Sequence, residues 1–581
     1  MEELKTFDRK NFAIDKCSSS IGSGSLGGKA QGLVSINKML TTHFDSNEFS
    51  QLDVLVPRFI VLRTDVFDSF MKQNNLYEIA YSDRSDERIA HAFQNADLPF
   101  DILGDLRTIS NNTHTPLAMR SSSMLEDALY EPFAGIYATK MTPNNQHDSD
   151  VRFNKLIEAV KFVYASTYFK AAKDYMKATK HSIEDEKMAV IIQEVVGKRR
   201  SERYYPEVSG VARSYNFYPM GKAKHEDGVV NLALGLGKTI VDGGLSWTYV
   251  PSYPKLQPPY ASMNDMLKNT QLNFWSVNMG KPPAYNPSRE TEYMLQSDLL
   301  VAEKDETLKR VASTVDNFSG RLTIGVGADG PRVLTFAPLL QFNDIPINKL
   351  IKKLLKISEE FLDASVEIEF AVTFAEKNDV ENKHQFGFLQ VRPMVVSNEE
   401  VAIEKSELED TSVLVASENV LGNGVIDSIE DIVFVNPNTF ESKQTGRIAG
   451  ELTKLNVKLV QANRPYLLIG FGRWGSSDPW LGIPVDWSNI SGAKVIVEAT
   501  LENMNVDLSQ GSHFFHNLTS FNVSYFSVPF TSKYKINWEW LLDCKYEESG
   551  EFVNHIKLSQ PLKIKVDGKN GIGVIKKQKE L

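Results

Sequence analysis

The tightest constraint on the fold comes from two apolar runs that flank a charged loop. In VEIEFAVTF (366–374), Val366, Ile368, Phe370, Val372 and Phe374 fall on one face of a strand, which puts Glu367 and Glu369 together on the other. In FGFLQVRPMVV (386–396), Gln390 and Arg392 share a face in the same way. With AEKNDVENKHQ between them, the runs read as an antiparallel hairpin centred near Asp379 or Val380. That centre sets Glu369 opposite Gln390 and Glu367 near Arg392. A carboxylate and an amide oxygen side by side are ligands of the kind Mg²⁺ takes beside nucleotide phosphates, and Arg392 offers donors for another phosphate oxygen. The same pattern also fits a solvated hairpin face with a cross-strand Glu–Arg pair.

A second polar concentration is LAMRSSSMLEDALYEPFAG (117–135). Arg120 brings a planar fork of donors, Ser121, Ser122 and Ser123 add hydroxyls, and Gly135 permits close backbone approach, as an anion site requires. A polar turn after a strand would look similar. In GGKAQG, Gly27, Gly28 and Lys29 at a helix start place amide donors and a cation where an anion binds, although the Walker A spacing is absent. LALGLGKTIVDGG (232–244) is a further glycine-rich loop, without the strand and spacing of a Rossmann turn.

Composition narrows the setting. The chain has 581 residues, enough for about three or four domains at roughly 150 residues each. A net charge of −10 argues against broad binding of nucleic acid or of an anionic membrane surface. Cys17 and Cys544, near opposite ends, support neither a disulfide framework nor a cysteine metal site. With no apolar run of about 18 residues and no signal-like start, a soluble protein of a reducing, cytoplasmic compartment is expected. Residues 251–290, rich in Pro, Asn, Ser and Tyr, read as a long irregular insertion, and the acidic stretch 397–412 as a linker or exposed helix.

In order along the chain, these pieces resemble the nucleotide-binding half of the phosphoenolpyruvate synthase and pyruvate phosphate dikinase family. GGKAQG is similar to its GGKG loop, VPRFIVLRT to VPPGF, and MRSSSMLEDALYEPFAGI to VRSSATAEDLPxASFAGQ. AVIIQEVV is similar to VVVQxMV, SGVARS to SGVxFT, GLGKTIVDG to GLGE, and IEFA…FLQVRP to IEWA…LLQARP. The resemblance implies an α+β, two-lobed ATP-grasp region with lobes at 1–185 and 186–398, a linker at 399–412, and a separate α/β module of unknown role at 413–581. It implies that Lys29 and Arg120, with the serines, hold ATP phosphates. Gln193, Glu194 and Val196 would line the adenine pocket, Glu369 and Gln390 would coordinate Mg²⁺, and Arg392 would face the terminal phosphates. Lys29, Arg120 and Arg392 would be the catalytic cations. The sequence departs from the pattern at Lys238, where the family has the Glu of GLGE, at Ile136, and at Arg58 and Phe59.

The family's swivelling-domain setting, GGxTSH, is not found in the sequence; the nearest echo is LSQGSHFFHNLTSF, where His513 and His516 read as candidate acceptor-pocket residues, either a phosphoryl-accepting imidazole or packing or substrate-binding histidines. IGFGRWGSSDPWLGIPVDW (469–487) gathers Arg473, Trp474, Asp478 and Trp480, which combine stacking surfaces and donors as an acceptor pocket would. A glycine-rich loop with structural tryptophans is the alternative. The reading that follows is an ATP- and Mg²⁺-dependent phosphotransferase with an unidentified small-molecule or protein acceptor. A non-catalytic nucleotide-binding regulator or scaffold, and a small-molecule kinase acting directly on its acceptor, remain open.

Overall fold

The computed structural model describes residues 4–13, 17–126, 135–178, 181–217, 219, 222–256, 262–342, 344–376, 383–394, 396, 401–476, 478–502, 504 and 523–577. It mixes helices and sheets throughout. His513 and His516 lie outside the described residues. Among those described, no helix is long and apolar enough to cross a membrane.

Two six-stranded sheets dominate the first four hundred residues. One runs in the order Lys5–Thr6, Ser19–Ile21, Phe59–Leu62, Met188–Glu194, Leu117–Ser123, Thr139–Thr142. The other runs Trp247–Tyr249, Val229–Ala233, Val208–Arg213, Val366–Thr373, His384–Pro393, Leu52–Leu55. The chain therefore passes between the sheets more than once: an early strand, Leu52–Leu55, pairs in parallel with His384–Pro393. Helical spacing explains what covers each sheet. Helix Thr64–Gln73 buries Val66, Phe67, Phe70 and Met71 against the first. Helix Ile347–Leu362 buries Leu350, Ile351, Leu354 and Leu355 against the second.

The late hairpin forms in the expected register, with Glu369 opposite Gln390 and Glu367 opposite Arg392. Its face is not solvated, however: Glu367 and Arg392 are buried. The alternation also breaks once. Phe370 pairs with Phe388, so Leu389 is left out of the register as a β-bulge.

The stretch 251–290 is more regular than its composition implies. It contains helix Met263–Lys268 and strand Asn273–Asn278, which joins a four-stranded sheet with Met294–Asp298, Arg203–Tyr205 and Lys198–Arg200. Strand Asn273–Asn278 forms because Phe274, Ser276 and Val277 have a core to enter. The acidic stretch after 400 also docks: Leu408 is buried beside Ala416, Tyr534 and Val574, and Lys565 donates to Glu407 at 2.8 Å.

Beyond it, a seven-stranded sheet is built on parallel strands Asp431–Val435, Tyr466–Phe471, Ala493–Ala499 and Ser524–Val528. Helix Thr445–Gln461 connects the first two. A four-stranded antiparallel sheet, including Val413–Ser417 and Ile572–Lys576, packs beside it.

Candidate functional site

A cavity of about 270 Å³ opens between the two six-stranded sheets. Lys29, Arg120, Gln193, Glu194, Val196, Glu369, Gln390 and Arg392 all line it. Eight positions drawn from five separate stretches of sequence thus meet in one space. Its apolar lining includes Ala118, Met141, Val195, Leu236, Met294 and Leu389, and Met141, Val195, Leu236 and Met294 belong to one hydrophobic cluster.

Arg120 sits where the sheets approach each other. It donates to Gln193 Oε1 at 3.1 Å, to the Leu389 carbonyl at 2.9 Å and to Gln390 Oε1 at 2.8 Å. All three acceptors are neutral, so they orient the guanidinium without cancelling its charge. The nearest carboxylate, Glu369, stands 3.9 Å away. Because the bulge takes Leu389 out of the ladder register, its carbonyl can turn to Arg120. Gln390 Oε1 and Glu369 Oε2 both approach the same Arg120 nitrogen, at 2.8 and 3.9 Å. Two convergent oxygen donors of this kind fit Mg²⁺, and an amide oxygen keeps a second lone pair while accepting from Arg120.

The serines behave differently from expectation. Ser121, Ser122 and Ser123 are fully buried and do not line the cavity. Ser122 Oγ accepts from the Ala30 amide at 3.0 Å and donates to the Leu26 carbonyl at 2.9 Å. Ser121 donates to Glu126 at 2.8 Å, and Ser123 N–H donates to the same carboxylate at 3.1 Å. They brace the glycine turn, and of this stretch it is Arg120 that reaches the cavity, with Lys29 beside it. Gly27 and Gly28 are needed there: a Cβ on either would come within 1.8 Å of a backbone oxygen of Ser122 or Glu126. Lys29, next in line, is held 2.7 Å from the buried Glu126.

Arg392 lines the cavity but is also tied back into the sheet, bonding Glu367 through Nε and Nη2. Arg213 reaches the other oxygen of Glu367. All three side chains are buried. Two guanidiniums on one carboxylate leave net positive charge behind the cavity wall, an arrangement that attracts anions. Burial pulls the Arg213 guanidinium below its ordinary range, and Glu367 opposes that shift. Arg213 escaped sequence reasoning although it lies inside SGVARS, at the position where the family pattern has phenylalanine. A charged residue in an otherwise apolar strand was the available signal.

Lys238 points across the opposite wall, 2.9 Å from Asp242 and 3.9 Å from Glu290. Burial lowers its affinity for a proton, but Glu290 and Asp242 outweigh that and raise it. The loop carrying Glu290 is fixed from below by Lys140, which pairs with buried Glu292 at 2.7 Å and donates to the carbonyls of Pro287 and Arg289. Of the other departures, Arg58 lies over the Phe12 ring and Ile136 packs into the core, both off the cavity lining.

In the C-terminal segment the expected pocket residues part company. Trp474 is 1% exposed, and its indole donates to the Val497 carbonyl, so it is a core residue rather than a stacking surface. Trp480 is 73% exposed, and Asp478 closes a local turn by accepting from the Trp480 amide at 2.9 Å. Arg473, nearly buried, donates to the Gly243 carbonyl at 3.1 Å, across to the glycine-rich loop. Among the described residues, Asp431, Glu547 and His555 also converge closely enough to hold a metal. Arg464 already supplies the positive charge there, donating to Asp431 and Glu547 at 3.0 Å. Asp431 begins its strand, at the end of a parallel sheet opposite to the one where ligands bind.

The family model for the AMP/ATP-binding domain of pyruvate phosphate dikinase matches residues 23–412. That span holds every residue of the cavity lining. No curated protein matches the chain.

Proposed function

The chain belongs to the pyruvate phosphate dikinase AMP/ATP-binding family, and from that premise we propose that the cavity between its two sheets binds ATP with Mg²⁺ for phosphoryl transfer. In this reading the two sheets are the lobes of an ATP-grasp fold. The adenine lies on the apolar part of the lining, among Ala118, Met141, Leu236, Met294 and Leu389, beside Gln193, Glu194 and Val196. The polyphosphate lies along Lys29, Arg120 and Arg392. Glu369 and Gln390 hold Mg²⁺, which when bound neutralises charge on the phosphate oxygens. The observation that carries the reading is the meeting of those eight side chains in one cavity with the Arg213–Glu367–Arg392 group behind it.

Phosphoryl transfer asks little covalent chemistry of a protein. Lys29, Arg120 and Arg392 need only orient the phosphates and meet the charge that builds on the transferring group. The acceptor is an unidentified small molecule or protein. A nucleotide-binding regulator without transfer is the second reading, favoured by Lys238 and its pairing with Asp242 and Glu290.

ATP labelled separately at the β and γ phosphates separates the two. Transfer predicts ADP, or AMP with phosphate, when an acceptor screen supplies the right partner. Binding without turnover across the screen would favour the regulator. Failure of a non-hydrolysable ATP analogue to bind at all would sink both.

A further inference from the structure

The glycine-rich loop 234–244 forms one wall of the cavity through Leu236, Gly237, Lys238, Val241 and Asp242. Its front half is anchored to neighbouring segments: Gly235 N–H donates to the Pro206 carbonyl and Leu236 N–H to that of Trp275. Its rear half closes on itself, with Gly243 N–H donating to Ile240 and Gly244 N–H to Thr239. At that rear end Arg473 enters from the C-terminal segment and donates to the Gly243 carbonyl at 3.1 Å.

The arginine is built to stay there. It is 6% exposed and lies just past strand Tyr466–Phe471, with only Gly472 between. Its own amide donates to the Leu481 carbonyl at 2.8 Å, and the preceding Gly472 amide to Ala499 at 2.9 Å. Gly482 packs so closely on it that a Cβ there would lie 1.9 Å from the Arg473 carbonyl oxygen. On the adjacent strand, buried Glu498 exerts an electrostatic pull on Arg473 and accepts from the Tyr525 hydroxyl on the strand after that. A guanidinium withdrawn from water is costly unless its bonds are well made. Here one of those bonds crosses to the wall of the cavity.

We propose that Arg473 is a positioning residue of the nucleotide site: from the C-terminal segment it holds the rear of loop 234–244 through the Gly243 carbonyl, so that Lys238 and Asp242 meet the bound nucleotide in a fixed place. The proposal rests on the nucleotide reading of the cavity. Arg473 does not itself line the cavity; its effect passes through the loop. Because coupling between two sites is reciprocal, nucleotide binding must also tighten the strand ends around Arg473.

Calorimetry on the full chain with Mg²⁺ and a non-hydrolysable ATP analogue tests this, using wild type, Arg473→Met, Arg473→Lys and Arg120→Ala. Arg473→Met keeps the apolar stem and loses the donors; it should weaken the analogue about tenfold. Arg473→Lys can still donate to one carbonyl and should recover part of that loss, with a ligand-free melting temperature close to wild type. Wild-type affinity in Arg473→Met, alongside weakened binding in Arg120→Ala, would overturn the proposal while leaving the nucleotide site standing. No binding by wild type would remove the nucleotide reading itself. If Arg473→Met does not fold, hydrogen exchange on wild type decides. The analogue should slow exchange at 472–475 and 495–499 as well as at 234–244. Slowing confined to 234–244 would overturn the coupling.

Discussion

The guanidinium of Arg120 donates at 2.9 Å to the carbonyl of Leu389, a residue 269 positions further along the chain that the hairpin register skips. The same guanidinium reads Gln193 and Gln390 through neutral oxygens. Its orientation is therefore set by the contact between the two sheets, and its charge is left for a ligand.

Arg120→Ala should cost about 2–4 kcal/mol of affinity for a non-hydrolysable ATP analogue, as the loss of a partly desolvated, charge-assisted contact does. Arg120→Lys should rescue little, because one ammonium cannot span Gln193, Leu389 and Gln390 together. Calorimetry on both variants checks this, and undiminished binding in Arg120→Ala would end the phosphate assignment.

Glu369→Gln should weaken Mg²⁺ more than it weakens the nucleotide. Glu369 lies 3.9 Å from Arg120, so on the proposed reading neutralising it removes an anion from beside the cation that would hold phosphate and deprives the metal of its carboxylate. A Mg²⁺ titration at saturating analogue should show at least roughly tenfold weaker metal dependence, consistent with the loss of a ligand charge. Overlapping titrations for the variant and wild type would contradict the metal role.

The two tryptophans of the C-terminal segment should separate cleanly. Trp474→Ala empties a fully buried site and should destabilise by about 3–5 kcal/mol. Trp480→Ala, at an exposed position, should stay within about 0.5 kcal/mol of wild type. Chemical denaturation measures both, and an unchanged midpoint for Trp474→Ala would refute the core placement.

Burial pushes Glu498 up to about 7 from an ordinary 4.5, against the hydroxyl of Tyr525 and the charge of Arg473. Burial likewise pushes Glu186 up to about 7, with Ser123 opposing. A carboxyl raised in the folded state keeps its proton there while the unfolded chain gives its proton up. Each such group therefore contributes stability that is complete below about 4.5 and is lost as pH rises through about 7. Glu498→Gln keeps an acceptor for Tyr525 and should flatten part of this slope, by at most about 3 kcal/mol at pH 8. Denaturation midpoints from pH 5 to 8 provide the measurement, and a slope identical to wild type would rule out the assignment.

The hairpin was legible because Glu367, Glu369, Gln390 and Arg392 interrupt two apolar alternations at matching distances from one centre. The bulge was not, since Phe388 and Leu389 are both apolar and leave no mark on the pattern. The serines of RSSS could be read as ligands or as braces from sequence alone. Only the position of the Ala30 amide and of Glu126 decides between them. Trp474 and Trp480 carry the same chemistry in the same loop, and what divides them is the depth of a sheet assembled from distant strands. Arg213 needed a partner 154 positions away, Glu367, before it made sense.

The bulge at Leu389 gives chain length a meaning at this point. Losing that one residue would turn the ladder regular, keep Glu369 facing Gln390 and leave the sheet intact. It would also take away the carbonyl to which Arg120 is fastened. A single-codon deletion between Phe388 and Gln390 would therefore spare the fold and blunt the ligand site.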